Sequence, residues 1–274
     1  YSALGTQVTI IQRSKQVLKE MDADVAACLE EAYRKRGTPV YTHTTLERVE
    51  RTTTGLKAVT FQHAGQSQTV EAEEILYALG REPSLEPLQL EAAGIPLTHG
   101  RIRVGPTQQT VVPHIFAAGD AAGPYEVVHI AIQQAEIAAR NANRLVREQR
   151  RNLEEIDYRL KLFAVFSHPE VAMAGLTEQE LAAASIPYRA ATYPFDDHGK
   201  SMVEGETDGF VKLLVSDETQ EIVGGAVVGP HASELIHEIV VAMRFRATPK
   251  DLLEIPHYHP TLSEIWTYPA EELL

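Results

Sequence analysis

The chain has 274 residues, 44% of them hydrophobic and 23% charged, with a formal net charge of -13. This is the composition of a folded protein with room for two or more cores; its acidity argues against nucleic acid, whose phosphates demand basic patches, and apolar runs such as 222–228 fall well short of a membrane span. The single cysteine, Cys28, has no second cysteine for an internal disulfide, so a reducing, cytoplasmic compartment is the expectation.

In chain order, Ala3-Leu4-Gly5 reads as a helix end, and the apolar run Val8, Ile10, Ile11 predicts a strand over about 6–11. A helix over 24–35, closed by Gly37, and a strand over 40–42 complete a strand-helix-strand unit, the pattern of a parallel crossover. Residues 47–59 and 66–70 alternate like short antiparallel strands punctuated by Gly55 and Gly65, and 74–79 predicts a further apolar strand. Gly80-Arg81-Glu82-Pro83 breaks that strand and marks a boundary. Next come a short strand over 115–118, an Ala-rich helix over 130–145 and a polar run, 144–155, that reads as a linker. The last part predicts strands over 163–166, 188–193, 210–215 and 221–228, with Ser216-Asp217-Glu218-Thr219-Gln220 as a hairpin connection. A helix then presents Leu235, Ile236, Ile239, Val240 and Met243 to that sheet. The resulting class is α/β followed by α+β, in segments 1–79, 80–150 and 151–274.

Chemistry concentrates near the end of the chain, in His257-Tyr258-His259-Pro260-Thr261-Leu262-Ser263-Glu264. Histidine titrates nearest neutrality, and a carboxylate on its second ring nitrogen would fix the tautomer and stabilise the protonated form. Positions five apart do not share a helix face. His259 and Glu264 therefore meet only if His259 lies just ahead of a helix that Pro260 begins and Glu264 folds back. Alternatively His257 and His259, two apart on an extended segment, point to one side like metal ligands.

Other candidates lie earlier. In dinucleotide-binding folds an acidic residue at the end of a strand such as the one closing at Ile11 hydrogen-bonds the ribose 2′-hydroxyl of NAD, whereas a basic neighbour neutralises the 2′-phosphate of NADP. Here Ile11 is followed by Gln12-Arg13-Ser14-Lys15, which lacks the carboxylate; the competing reading is a solvated basic loop. Asp120, after Ile115-Phe116-Ala117-Ala118-Gly119, is either a turn or helix cap, or lies beside a helix N-terminus able to face an anionic group such as a phosphate. Cys28, among Ala26, Ala27 and Leu29, reads as a small buried hydrophobe.

The octet resembles the C-terminal His-Pro-Thr-x-Ser-Glu signature of the pyridine nucleotide-disulfide oxidoreductases, the group of dihydrolipoamide dehydrogenase and glutathione reductase. Residues 115–120 resemble the flavin-contacting stretch of that group, and Phe166-Ser167-His168-Pro169-Glu170-Val171-Ala172 looks like the opening strand of its dimerisation domain. The resemblance implies a partial Rossmann-type NAD(P)-binding domain over 1–79, a returning FAD-domain segment over 80–150 and an α+β dimerisation domain over 151–274. It also implies that the chain is the C-terminal part of a longer enzyme, because the family's Gly-rich fingerprints and redox cysteine pair are not in it.

What the resemblance implies for function is hydride passage between nicotinamide, FAD and a thiol/disulfide pair, with a small-molecule or protein-bound disulfide or dithiol as substrate. His259 would be the base that holds the thiol proton and Glu264 its orienting partner, in a homodimer whose site needs both chains. Asp120 would meet the ribityl chain of FAD, Gly80 and Arg81 would lie at the return to the flavin segment, and Arg13 with Lys19 resembles the paired basic residues of NADPH users. The octet is closest to dihydrolipoamide dehydrogenase, whereas Arg13 and Lys19 fit NADPH enzymes such as glutathione or mercuric reductase. A noncatalytic dimerisation module is the alternative reading.

Overall fold

A computed structural model describes residues 1–148 and 152–274. The chain divides into two units: Tyr1–Leu76 with Leu162–Leu274, and Tyr77–Lys161.

In the first unit, β1 (Ile10–Ile11) and β2 (Val40–Tyr41) pair in parallel across the connecting helix α1 (Ala23–Lys35), so the crossover read from the sequence is present. Its first strand is shorter than 6–11 because only Ile10 and Ile11 meet a ladder partner among the described residues. Arg34 and Lys35 occupy the last turn of α1, where cations suit the helix dipole, and Gly37 at φ 79 follows. Three strands, β3 (Thr45–Arg51), β4 (Lys57–His63) and β5 (Gln66–Ala72), form an antiparallel meander. It turns at Gly55 and Gly65, both at positive φ. The predicted strand over 74–79 is not formed. An apolar run becomes a strand only where a neighbouring edge takes its backbone groups; among the described residues none does, and Leu76, Tyr77 and Leu79 stand exposed.

The second unit packs around Leu85, Ile95 and Ile102. It contains the hairpin of β6 (Leu97–Thr98) and β7 (Arg101–Ile102), and the helix α2 (Val128–Val146), which turns Ile130, Gln134, Ile137, Ala138 and Asn141 inward at helical spacing. Residues 115–118 make a single bridge, Gln109 with Phe116, in place of the predicted strand. The polar run 144–155 is not a free linker where it is described. Arg144 belongs to α2 and reaches Glu154 at 2.6 Å, while Asn141 brackets the Glu154 backbone with bonds of 2.8 Å. The rest of that reading, over 149–151, lies outside the described residues.

The chain then completes the first unit with β8 (Leu162–Val165), β9 (Glu170–Gly175), α3 (Glu178–Ala183), β10 (Tyr188–Pro194), α4 (Gly199–Glu204), β11 (Phe210–Ser216), β12 (Ile222–Gly229), α5 (Ala232–Arg244), α6 (Pro249–Glu254) and α7 (Thr267–Glu272). A five-stranded antiparallel sheet runs β10-β11-β12-β9-β8. The segment 166–172 is not one strand, since 166–169 form the turn between β8 and β9. Alternation along the strands serves two helices. Val171, Met173, Ala226 and Val228 share a core with Val25, Ala26 and Leu29 of α1. Gly225, facing the other way, lies against Ile239 of α5 so closely that a Cβ there would sit 3.1 Å from its Cγ2. Cys28 is half-buried against the α1 core, and burial pushes its thiol pKa up.

Charge closes this core at one edge. Lys212 of β11 is fully buried, and its Nζ lies 2.5 Å from Glu178, 2.6 Å from Asp24 and 3.3 Å from Asp22. Burial alone would push its ammonium pKa down, but the surrounding carboxylates raise it. The Asp22 carboxylate also accepts from Glu178 N–H at 2.9 Å, tying the start of α1 to the start of α3.

Candidate functional site

The octet lies on a segment held from both sides. Downstream, Ile265 and Trp266 are fully buried, and Trp266 Nε1–H donates to the carbonyl of Leu235 in α5 at 3.1 Å. Upstream, the His257 ring has Nδ1 2.9 Å from the carbonyl of Ile255 and Nε2 2.6 Å from Glu238 Oε1 on α5. His257 is thereby committed to pinning the segment. Its two ring nitrogens face the Ile255 carbonyl and the Glu238 carboxylate, whereas His259 faces Glu264.

Between these anchors, His259 Nδ1 lies 2.9 Å from Glu264 Oε2. The His259 side chain is 80% exposed while the Glu264 side chain is 12% exposed, so the ring projects outward from an inward-held carboxylate. The helical turn that returns Glu264 is a 3-10 turn, Ser263–Trp266, and does not begin at Pro260 as expected. The turn still brings the two side chains together because Thr261 N–H donates to Glu264 Oε1 at 3.3 Å and Thr267 Oγ1–H to the Glu264 carbonyl at 2.7 Å.

Sequence reasoning missed a third member of this group. His198, directly ahead of α4, is fully buried with Nδ1 2.8 Å from the buried Ser201 Oγ and Nε2 3.6 Å from Glu264 Oε1. Burial pushes its pKa down, with the Glu264 carboxylate opposing and His259 reinforcing the shift. Phe195-Asp196-Asp197-His198-Gly199 contains no spacing that would have singled it out.

In the second unit, Asp120 lies in a 3-10 turn, Gly119–Ala121. Gln134 of α2, fully buried, accepts from Gly119 N–H at 2.6 Å and donates to the Gly123 carbonyl at 2.8 Å, while Arg101 donates to the Asp120 carbonyl. The Asp120 carboxylate is 39% exposed and lies 3.5 Å from Arg81. It is held in place by its backbone and left open as an acceptor, which fits a hydroxyl-bearing chain such as the ribityl group. Gly80 bends the chain at φ 113 just before Arg81. In the first unit, Arg13 and Lys19 lie exposed on the segment between β1 and α1. Lys19 pairs with Glu20 at 3.1 Å, whereas the Arg13 guanidinium has no side-chain partner among the described residues and suits an anionic ligand.

Residues 1–135 match the pyridine nucleotide-disulphide oxidoreductase family and residues 163–270 its dimerisation domain. Dihydrolipoyl dehydrogenase of Geobacillus stearothermophilus is 33% identical over 275 residues, covering 100% of this chain and 57% of that protein. The enzyme of the same name from Chlamydia pneumoniae is 32% identical over 267 residues, 97% of this chain and 55% of its own length. The crystal structure of LpdA from Mycobacterium tuberculosis superposes with a TM-score of 0.84 at 30% identity, over 100% of this chain and 58% of that one. The HOCl-induced flavoprotein disulfide reductase RclA from Escherichia coli, at 23% identity, shares the fold with a TM-score of 0.82 over 98% of this chain and 59% of its own. The chain thus spans about half the length of the curated relatives it matches.

Proposed function

We propose, for a chain that belongs to the pyridine nucleotide-disulphide oxidoreductase family, that it supplies the acid-base pair and the dimerisation domain of an FAD-dependent NAD(P)H disulfide oxidoreductase resembling dihydrolipoamide dehydrogenase. The observation that carries this reading is the His259–Glu264 pair at 2.9 Å. With Nδ1–H donating to the carboxylate, Nε2 of His259 keeps its lone pair on the exposed side of the ring, where it can take a proton from a thiol and return it. Thiol-disulfide exchange runs through the thiolate, so such a base sets the rate near neutral pH.

Bound FAD and nicotinamide would supply the electron-pair relay to the disulfide. Asp120 would accept from the flavin's hydroxyl chain, with Arg81 3.5 Å from its carboxylate and Gly80 just before Arg81 in the chain, and Arg13 and Lys19 would meet the 2′-phosphate that distinguishes NADPH from NADH. The outward His259 ring, next to exposed Tyr258 on the dimerisation domain, fits a site completed by a second copy of the chain. A cytoplasmic location agrees with the lone thiol of Cys28.

The test is made on protein expressed from the complete gene. A flavin band that bleaches on anaerobic NADPH addition, together with a roughly 10²- to 10⁴-fold loss of dithiol-disulfide turnover in His259→Ala, is the expected result. Absence of flavin would hand the reading to a noncatalytic dimerisation module, and undiminished turnover in the variant would remove His259 as the base.

A further inference from the structure

We propose that His198 is a positioning residue for the His259–Glu264 pair, acting through the second oxygen of Glu264 and held in one tautomer by Ser201. The inference rests on the acid-base reading of that pair. His198 and Ser201 are both fully buried, and His198 Nε2 has no hydrogen-bond partner among the described residues. A buried ring nitrogen without a partner calls for an explanation, and the neighbour it faces is Glu264 Oε1 at 3.6 Å.

Three states of the ring are available. With a proton on Nδ1 alone, the Nε2 lone pair would face a carboxylate oxygen, acceptor against acceptor in a closed site. With protons on both nitrogens, the ring would carry a charge that burial penalises. With the proton on Nε2, the Ser201 hydroxyl donates to Nδ1 at 2.8 Å and Nε2–H points its positive end at Oε1. The last state leaves no like poles opposed. Oε1 is then shared by the Thr261 N–H and His198, and Oε2 is left for His259. The chain of donors runs Ser201 to His198 to Glu264, with His259 donating from the other side. The ring of Tyr268 also faces His198, edge-on at 6.2 Å between centroids.

The experiment is long-range ¹H–¹⁵N NMR of the ¹⁵N-histidine-labelled 274-residue chain, with the tautomer of each ring read from its two nitrogen shifts above neutral pH. The expected result is His198 protonated on Nε2 and His259 on Nδ1. In His198→Leu the ratio of Nδ1–H to Nε2–H tautomers of His259 falls about threefold to tenfold, the range that a net hydrogen-bond contribution corresponds to. In His198→Gln, whose amide nitrogen can donate from a similar reach, the ratio returns toward the parent value. A His198 protonated on Nδ1, or a His259 ratio unchanged in a folded His198→Leu chain, overturns the proposal. The first readout needs no variant and so survives a variant that does not fold. If His259→Ala in the complete enzyme loses turnover while the NMR coupling is absent, only this inference fails. If the coupling is present and turnover is unaffected, the acid-base reading fails and His198 orients a structural pair.

Discussion

His198 also gives the molecule a pH signature at the residue scale. Burial holds its folded pKa below the ordinary value of 6.5, with the Glu264 carboxylate opposing and His259 adding to the shift. A depressed group contributes stability that is complete above its unfolded pKa and is lost as pH falls through the folded one. Stability therefore falls as the pH drops below about 6.5, because the unfolded chain takes a proton that the folded ring refuses. His198→Gln, which cannot titrate, flattens that decline, and urea midpoints measured between about pH 7.5 and 5 would read the difference. Parallel acid limbs in parent and variant would show that other groups dominate. The octet made His259 and Glu264 legible because a short segment carries both partners. His198 was not, because its contact with Glu264 exists only after β10, α4 and the C-terminal turn have packed.

At the scale of elements, the charge cluster around Lys212 joins the nucleotide-fold part of the first unit to the sheet. Asp22 is almost fully buried, so removing the cation leaves a carboxylate inside without compensation, beside Asp24 and Glu178. Lys212→Met should cost on the order of 3 kcal/mol at neutral pH, the lower part of the range for breaking a buried pair, since Asp24 and Glu178 reach water. The deficit narrows as pH falls toward about 4, where the buried Asp22 carboxyl, whose pKa burial raises, takes up a proton. Chemical denaturation at the two pH values measures both, and a loss below about 1 kcal/mol would place the cluster among surface pairs. Neither partner set was visible as a motif. The residues come from α1, α3 and β11, and only the stacking of the helices on the sheet places them around one nitrogen. By contrast, the crossover of β1, α1 and β2 and the β11–β12 hairpin were legible, since periodicity and turn composition act locally. The apolar run 74–79 misled for the same reason that those succeeded: its pattern describes a strand, but pairing needs an edge.

On the scale of the whole molecule, the dimerisation domain predicts that the chain associates in pairs without turning over substrate. Sedimentation velocity should show a dimer, and NADPH consumption with a disulfide substrate should stay at background. The second expectation follows from composition, since a redox disulfide needs two cysteines and this chain holds Cys28 alone. A monomer across the micromolar range, or turnover by the 274-residue chain, would contradict it. Among the described residues no helix is long and apolar enough to cross a membrane.

The sequence by itself determined the β1-α1-β2 crossover, the helices α2 and α5, the β11–β12 hairpin, the family signature at 257–264, and the pairing of His259 with Glu264. All of these are encoded by short-range spacing, which survives as a readable pattern. Only the tertiary structure decided which strands find an edge, that Gln134 and Arg101 hold the Asp120 turn, and that His198 stands behind Glu264. Those outcomes depend on burial and on polar groups meeting from distant segments, and burial is a property of the packed chain.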